Sequence, residues 1–281
     1  MYTSGVNQKS VAQRAQIVRC LLEGSLVRST VRMTGAAKNT VIKLQVELGK
    51  ACMAFHDATV RNVKAQNVQC DEIWSFVGMK EKNIPEEKIG VFGWGDVWTW
   101  TAIDADTKLM ISFMVGMRDA ESAYDFMTDV ASRLANRVQM TSDGHKVYLR
   151  AVLDAFGTDI DFAQLVKTYG NDYSTPERRY SPAVCNGCEK HPRIGEPDEK
   201  KISTSIVERA NLTIRMQNRR FTRLTNGFSK KLENHEAAMS LYFVYYNFCR
   251  VHQTLRTTPA VAAGIADHVW TIEELCGLLP N

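Results

Sequence analysis

The sequence predicts an α/β protein, a mixed five-stranded sheet flanked by helices and preceded by an all-α helix-turn-helix region. Three observations predict it. Residues 68–115 are rich in β-branched and aromatic side chains and are interrupted by turn residues, the pattern of three strands. Residues 119–167 then alternate helical and strand-like spacing, giving the order β-β-β-α-β-α-β-α once the helix starting near residue 205 is added. The first fifty or so residues have helical spacing, turn chemistry and an excess of positive charge. The expected boundaries are 1–55 for the helix-turn-helix region, 56–66 for a helical connector and 67–260 for the α/β domain. An irregular cysteine-containing insert is expected at 171–202 and a tail helix at 261–281.

Each element has its own warrant. Ser10-x-x-Gln13 is a capping box opening a helix with Val11, Ala15, Val18 and Leu22 on one face. Gly24-Ser25 stops it, residues 26–33 form a short second helix, and Thr34-Gly35-Ala36-Ala37 turns into a third. In a helix-turn-helix that last helix enters the major groove, so Lys38, Asn39 and Thr40 would face base edges and Lys43 a phosphate. A plain helical hairpin with a solvated basic face is the other reading. Strands follow at 68–78, 97–104 and 109–115, the last two a hairpin with Asp104 and Asp106 as turn residues. A helix spans 119–134, a strand 138–144, a helix 145–156 and a strand 162–167. On alternation Trp98 and Trp100 share a face and suit core packing.

The net charge of +4 hides an uneven distribution: +7 over residues 1–65, −7 over 66–200 and +4 over 201–281. Basic ends around an acidic middle suit flanks that grip a polyanion and a centre that takes cations. The seven cysteines argue for reduced thiols rather than a disulfide framework. No run of 18 apolar residues and no signal-like start occurs, so a cytoplasmic, nucleoid-associated protein that does not enter a membrane is expected.

Three carboxylates stand out by position. Asp71 lies inside the first strand, Asp143 ends the fourth, and Glu208 starts a helix whose next acid comes only after Leu232. In this strand order the first and fourth strands are neighbours. Acids converging there would repel one another without divalent cations, and hard oxygen ligands suit Mg²⁺ or Mn²⁺. Two ions about 4 Å apart are the usual arrangement for in-line phosphoryl transfer. Glu72 could stand in for Asp71, but alternation sends the two to opposite faces, so only one is expected to reach the site. Ser205-x-x-Glu208 is also a capping box, which leaves Glu208 open as a cap or a ligand. Arg209, Arg215, Arg219, Arg220, Arg223, Lys230 and Lys231 form a run without acids, fit to track phosphates. Arg250 and His252 are further candidates for DNA contact, and His145, beside Asp143, for proton transfer. Cys185, Cys188 and His191 have zinc-like spacing, though Asn186-Gly187 could equally make a turn.

The strings Cys70-Asp71-Glu72-Ile73-Trp74, Ser142-Asp143-Gly144, Val207-Glu208-Arg209-Ala210-Asn211-Leu212 and Tyr246-Asn247-Phe248-Cys249-Arg250-Val251-His252-Gln253 resemble the insertion-sequence-one transposases. These belong to the DDE transposases and integrases with an RNase H-like core. The resemblance implies a catalytic and metal-binding triad of Asp71, Asp143 and Glu208, with Arg215 as the basic residue beyond the glutamate. It implies a DNA transposase using two Mg²⁺ or Mn²⁺ ions, acting on terminal inverted repeats and target DNA as a dimer or larger oligomer. A DNA-binding regulator without catalysis, or an RNase H-like nuclease or resolvase, are the alternatives.

Overall fold

A computed structural model of the chain describes residues 9–170, 184–222 and 226–280. Three helices come first: α1 (Val11–Leu22), α2 (Val27–Thr34) and α3 (Lys38–Thr59). The capping box at α1 forms, with Gln13 N–H donating to Ser10 Oγ and Ser10 N–H to Gln13 Oε1. Gly35 ends α2 in the left-handed conformation, φ 67°, which only glycine adopts without strain. α3 runs on to Thr59, so only residues 56–59 of the expected helical connector are helical, as the end of this helix.

The sheet holds six strands in the order β3-β2-β1-β4-β5-β6. They are β1 (Asn67–Val77), β2 (Gly95–Asp104), β3 (Met110–Gly116), β4 (Gln139–Asp143), β5 (Asp161–Gly170) and β6 (Val184–Ile194). β1, β2 and β3 form an antiparallel meander, β4 and β5 run parallel to β1, and β6 is antiparallel to β5. β6 corrects two expectations, five strands and irregular structure over 184–194, while residues 171–183 of the expected insert lie outside the described residues. Asn186-Gly187 and Pro192 are turn signals, but an edge strand lacks one hydrogen-bonding neighbour and tolerates Pro and exposed polar residues. Its exposed side chains left no apolar alternation to read.

Helices cover both faces. α4 (Ala120–Arg133) and α5 (Val147–Phe156) bury Ala123, Phe126, Met127, Val130, Tyr148 and Val152 in a cluster with Val68, Cys70 and Trp100 of the sheet. α6 (Ser205–Gln217) and α7 (Leu232–Val244) bury Val207, Ile214, Met239 and Phe243 against Ile73, Ile103 and Met110 on the opposite face. The expected tail helix is two short ones, α8 (Pro259–Ala262) and α9 (Ile272–Cys276), and Glu273 of α9 pairs with Arg19 of α1 at 2.7 Å. No described helix is long and apolar enough to cross a membrane.

The N-terminal helices share the core of the sheet. Ala15, Val18, Val41 and Leu48 belong to the same apolar cluster as Phe126 and Phe162. α3 lies so close to α7 that a Cβ on Gly49 would sit 2.2 Å from the Ala237 carbonyl oxygen. Gly49→Ala should therefore destabilise the fold by about 1–3 kcal/mol, overpacking outweighing the gain in helix propensity. A urea melt showing stabilisation would contradict that packing.

Candidate active site

Asp71 and Asp143 meet because β1 and β4 are parallel neighbours, in register from Asn67–Gln139 to Cys70–Ser142. One residue further along each strand stand the two aspartates, at the carboxyl edge where α/β sheets gather ligands. β4 stops at Asp143 while β1 continues to Val77, so space opens beside β1 beyond that point. Alternation holds: Asp71 accepts a hydrogen bond from Asn211 Nδ2 of α6 at 2.7 Å, and on the other face burial and then the charge of Glu72 raise the pKa of Tyr148 of α5. Yet both carboxylates reach around the open edge. One ligand atom each from Asp71, Glu72 and Asp143 lies within 4.8 Å of the others, a group that could hold a metal ion. The expectation that only one of Asp71 and Glu72 reaches the site is thus corrected.

The cluster is electrostatically loaded. Burial first, then the charge of Asp143, pushes Asp71 up to about 6, with Glu208 adding to the rise. The Glu72 N–H, at 2.9 Å from Asp71 Oδ1, and Asn211 oppose it. Glu72 is pushed up to about 7 by burial and then by Asp143, while nearby Tyr148 and Arg118 pull it down. Among the described residues Glu72 Oε1 is buried with no hydrogen bond of ordinary geometry, its nearby donor being the Tyr148 hydroxyl. Arg118 Nε bonds Glu72 Oε2 at 3.2 Å, and its Nη2 lies 3.7 Å from Asp143 Oδ2. The same guanidinium stands over the Trp98 ring, 4.6 Å from its centroid. Trp98 is therefore a half-buried platform, whereas Trp100 is fully buried as expected.

Glu208 sits on the first turn of α6, which is fastened to β1. Gln69 Oε1 accepts the backbone N–H groups of Ile206 at 2.8 Å and Val207 at 3.1 Å, two donors a helix start leaves open. That amide does the work of a cap from across the fold, and α6 has no side-chain cap of its own. Glu208 instead accepts from Thr204 Oγ1 at 2.6 Å and from Lys167 Nζ of β5. Its carboxylate stands outside the group formed by the other three acids, although its charge reaches Asp71. Gln164 of β5 ties down the end of β4, donating to the Asp143 carbonyl at 3.1 Å and the His145 carbonyl at 3.0 Å. His145 donates its backbone N–H to Asp143 Oδ1 at 2.9 Å, and its buried Nε2 has no partner among the described residues. Sequence reasoning missed Gln69, Gln164, Asn211, Arg118 and Lys167. A polar Gln164 inside the apolar run 162–166 was a visible signal.

The remaining candidates are scattered. Lys38, Asn39 and Lys43 are exposed on α3, Thr40 is half-buried there, and Lys43 lies 3.6 Å from Glu47. Arg209, Arg215 and Arg219 are exposed, Arg220 is half-buried, and Lys230 and Lys231 are exposed before α7. Arg223 lies outside the described residues. Arg250 and His252 follow α7, where the His252 N–H donates to the Thr257 carbonyl at 2.8 Å. The Cys185 and Cys188 sulfurs are 3.7 Å apart on edge strand β6, while His191 Nε2 lies 3.3 Å from Glu189 Oε2. Among the described residues these three do not converge as a metal group. Asp104 is a turn residue, accepting from the N–H groups of Asp106 and Thr107.

No protein family and no curated protein matches this sequence. Solved structures with which it aligns include a piggyBac transposase synaptic complex with hairpin DNA, at TM-score 0.44 and 10% identity over 99% of this chain and 73% of that one. Others are the Mos1 transposase paired-end complex with left transposon end, TM-score 0.24 and 12% identity over 58% and 61%, and the Mos1 strand transfer complex, TM-score 0.22 and 10% identity over 86% and 79%. Likeness at this level assigns this chain neither a fold family nor an activity.

Proposed function

We propose that the chain is a DNA transposase of the DDE type with an RNase H-like core, cutting the ends of a mobile element and joining their 3′-hydroxyls to target DNA. The observation that carries this reading is the meeting of Asp71 and Asp143 at adjacent parallel strand ends, with the Glu208 helix bolted to the same strand through Gln69. A meander followed by two parallel strands is the order the resemblance implies.

The donor set suits Mg²⁺ or Mn²⁺, being carboxylates alone, and burial together with the charge of Asp143 raises the pKa of Asp71 and of the neighbouring Glu72. Asp71 and Asp143 would hold the ions, and Glu208, once released from Lys167, would complete the set. Divalent ions there supply a lowered pKa for a water nucleophile and stabilisation of the leaving oxygen. The protein does the positioning. Asn211 orients Asp71, Gln164 fixes the Asp143 turn, and Arg118 offsets the extra negative charge of Glu72. The water oxygen bonds to phosphorus as the bond to the 3′-oxygen breaks, freeing a 3′-hydroxyl. That hydroxyl then attacks a target phosphodiester at the same centre, again displacing a 3′-oxygen.

Arg209, Arg215, Arg219, Arg220, Lys230 and Lys231 track the backbone, Arg250 and His252 add contacts beyond α7, and Lys38, Asn39, Thr40 and Lys43 read the terminal repeats. Two ends must be held together, so the working form is at least a dimer. The test is incubation with Mg²⁺ and duplex DNA carrying the sequences that flank its own coding region. Nicks with 3′-hydroxyl ends followed by joined products are expected. Hydrolysis without joining would point to a nuclease, and binding without nicking to a regulator.

A further inference from the structure

A cleft of 860 Å³ separates the N-terminal helices from the segment that follows α6. One wall carries Arg28 and Lys38, and the facing wall Arg219, Arg220, Lys230 and Lys231. No carboxylate lines it among the described residues. The turn after α1 closes one end, where a Cβ on Gly24 would lie 3.1 Å from the Gln217 carbonyl oxygen. Between the charged walls the lining is apolar and aromatic, with Leu21, Leu26, Leu241, Tyr242 and Phe228.

We propose that this cleft holds a short unpaired stretch of a DNA strand, phosphates on the basic walls and bases on the apolar floor. The inference rests on the reading of the chain as a protein that acts on DNA, and it deepens that reading by naming the form of DNA. Three observations carry it. First, six cations from two separate parts of the chain face one space without a counter-charge, a strong attraction for a polyanion. Second, Arg220 has no carboxylate partner among the described residues, although it is shielded enough that burial lowers its pKa to about 10. The buried imidazole of His235 beside it is held neutral, pushed down to about 3 by burial and by the Arg220 charge, so it adds no second positive charge there. A guanidinium at a cleft wall with no carboxylate partner among the described residues is placed to take a phosphate. Third, the Phe228 ring is braced 4.7 Å from Phe76 and has Lys230 Nζ 4.0 Å from its centroid, combining a stacking surface with a cation. Bases inside a duplex are stacked on one another and cannot reach an apolar floor, whereas unpaired bases can. A space of this size matches a small-ligand pocket, enough for a few nucleotides of one strand.

The test is fluorescence anisotropy of a labelled oligothymidine of about eight nucleotides, against a blunt duplex of equal length, in EDTA. EDTA makes the result independent of metal-dependent cutting. The wild type should bind the single strand more tightly than the duplex. The substitution Arg28→Gln, at an exposed residue remote from the core, should lower the slope of log affinity against log salt by about 0.7. Phe228→Leu should weaken single-strand binding about tenfold with the salt slope unchanged. Equal affinity for both DNAs, or single-strand binding indifferent to these changes, would overturn the cleft assignment even with nicking intact. Cleft binding intact without nicking would instead overturn the transposase reading alone.

Discussion

Asp71→Asn abolishes Mg²⁺-dependent cutting of terminal-repeat DNA, by at least about a thousandfold, while DNA binding survives. Asparagine keeps the shape of the side chain and an acceptor for Asn211 Nδ2 but removes the charge that a divalent ion needs. Asp143→Asn should behave alike, because the two acids share one ligand group. Glu208→Gln should also be severe, since the account has this carboxylate exchange Lys167 for the metals. Glu72→Gln is the informative contrast. Glu72 lies among the acids but is already paired with Arg118, so its loss should cost less than about tenfold. Rates of strand nicking at saturating Mg²⁺ give the ranking. A Glu72 variant as dead as the Asp71 variant, beside an active Glu208 variant, would move the third ligand from α6 to β1.

The second large effect is a pH-dependent stabilisation by divalent cations. Asp71 and Glu72 have folded-state pKa values raised to about 6 and about 7, above their usual range near 4. A group raised in the folded state contributes stability that is present below its unfolded pKa and lost as pH rises through the folded value. The metal-free protein should therefore weaken between pH 4 and 7 on account of these two groups. His56 and His235 act oppositely, because burial depresses them to about 4 and about 3. Their contribution is present above about pH 6.5 and is lost as the pH falls towards those values, by up to about 1.4 kcal/mol per unit for each. On these four groups the two effects largely cancel between about pH 4.5 and 7, so stability in EDTA is expected to be nearly level there and to fall below about pH 4. With Mg²⁺ at about a hundred times its dissociation constant, the protein should gain about 2.7 kcal/mol at pH 8, and much less at pH 6 where protons compete. Thermal melts across pH with EDTA or Mg²⁺ check both effects. Equal stabilisation at pH 6 and pH 8 would separate metal binding from these carboxylates.

What the sequence made legible, and what it hid, follows from the range of the interactions. The positions of Asp71 and Asp143 could be read because strand spacing and strand order are local signals, and neighbouring parallel strands bring the acids together. Glu72 was set aside on alternation, which fixes the face of a Cβ but not how far a carboxylate reaches past the end of a shorter neighbour. The Ser205-x-x-Glu208 pattern suggested a local cap, but the amide that satisfies those N–H groups is Gln69, 137 residues away. Asn211 and Gln164 also bond across the fold. No spacing rule shows such partners. β6 escaped because a polar edge strand carries no hydrophobic period.

The most direct measurement is a crystal soaked in Mn²⁺ and examined by anomalous scattering. The account predicts a strong peak coordinated by both Asp71 and Asp143, with Glu208 turned from Lys167 towards it. Saturating Mn²⁺ that leaves this group without an ion, or that binds elsewhere instead, would contradict the account.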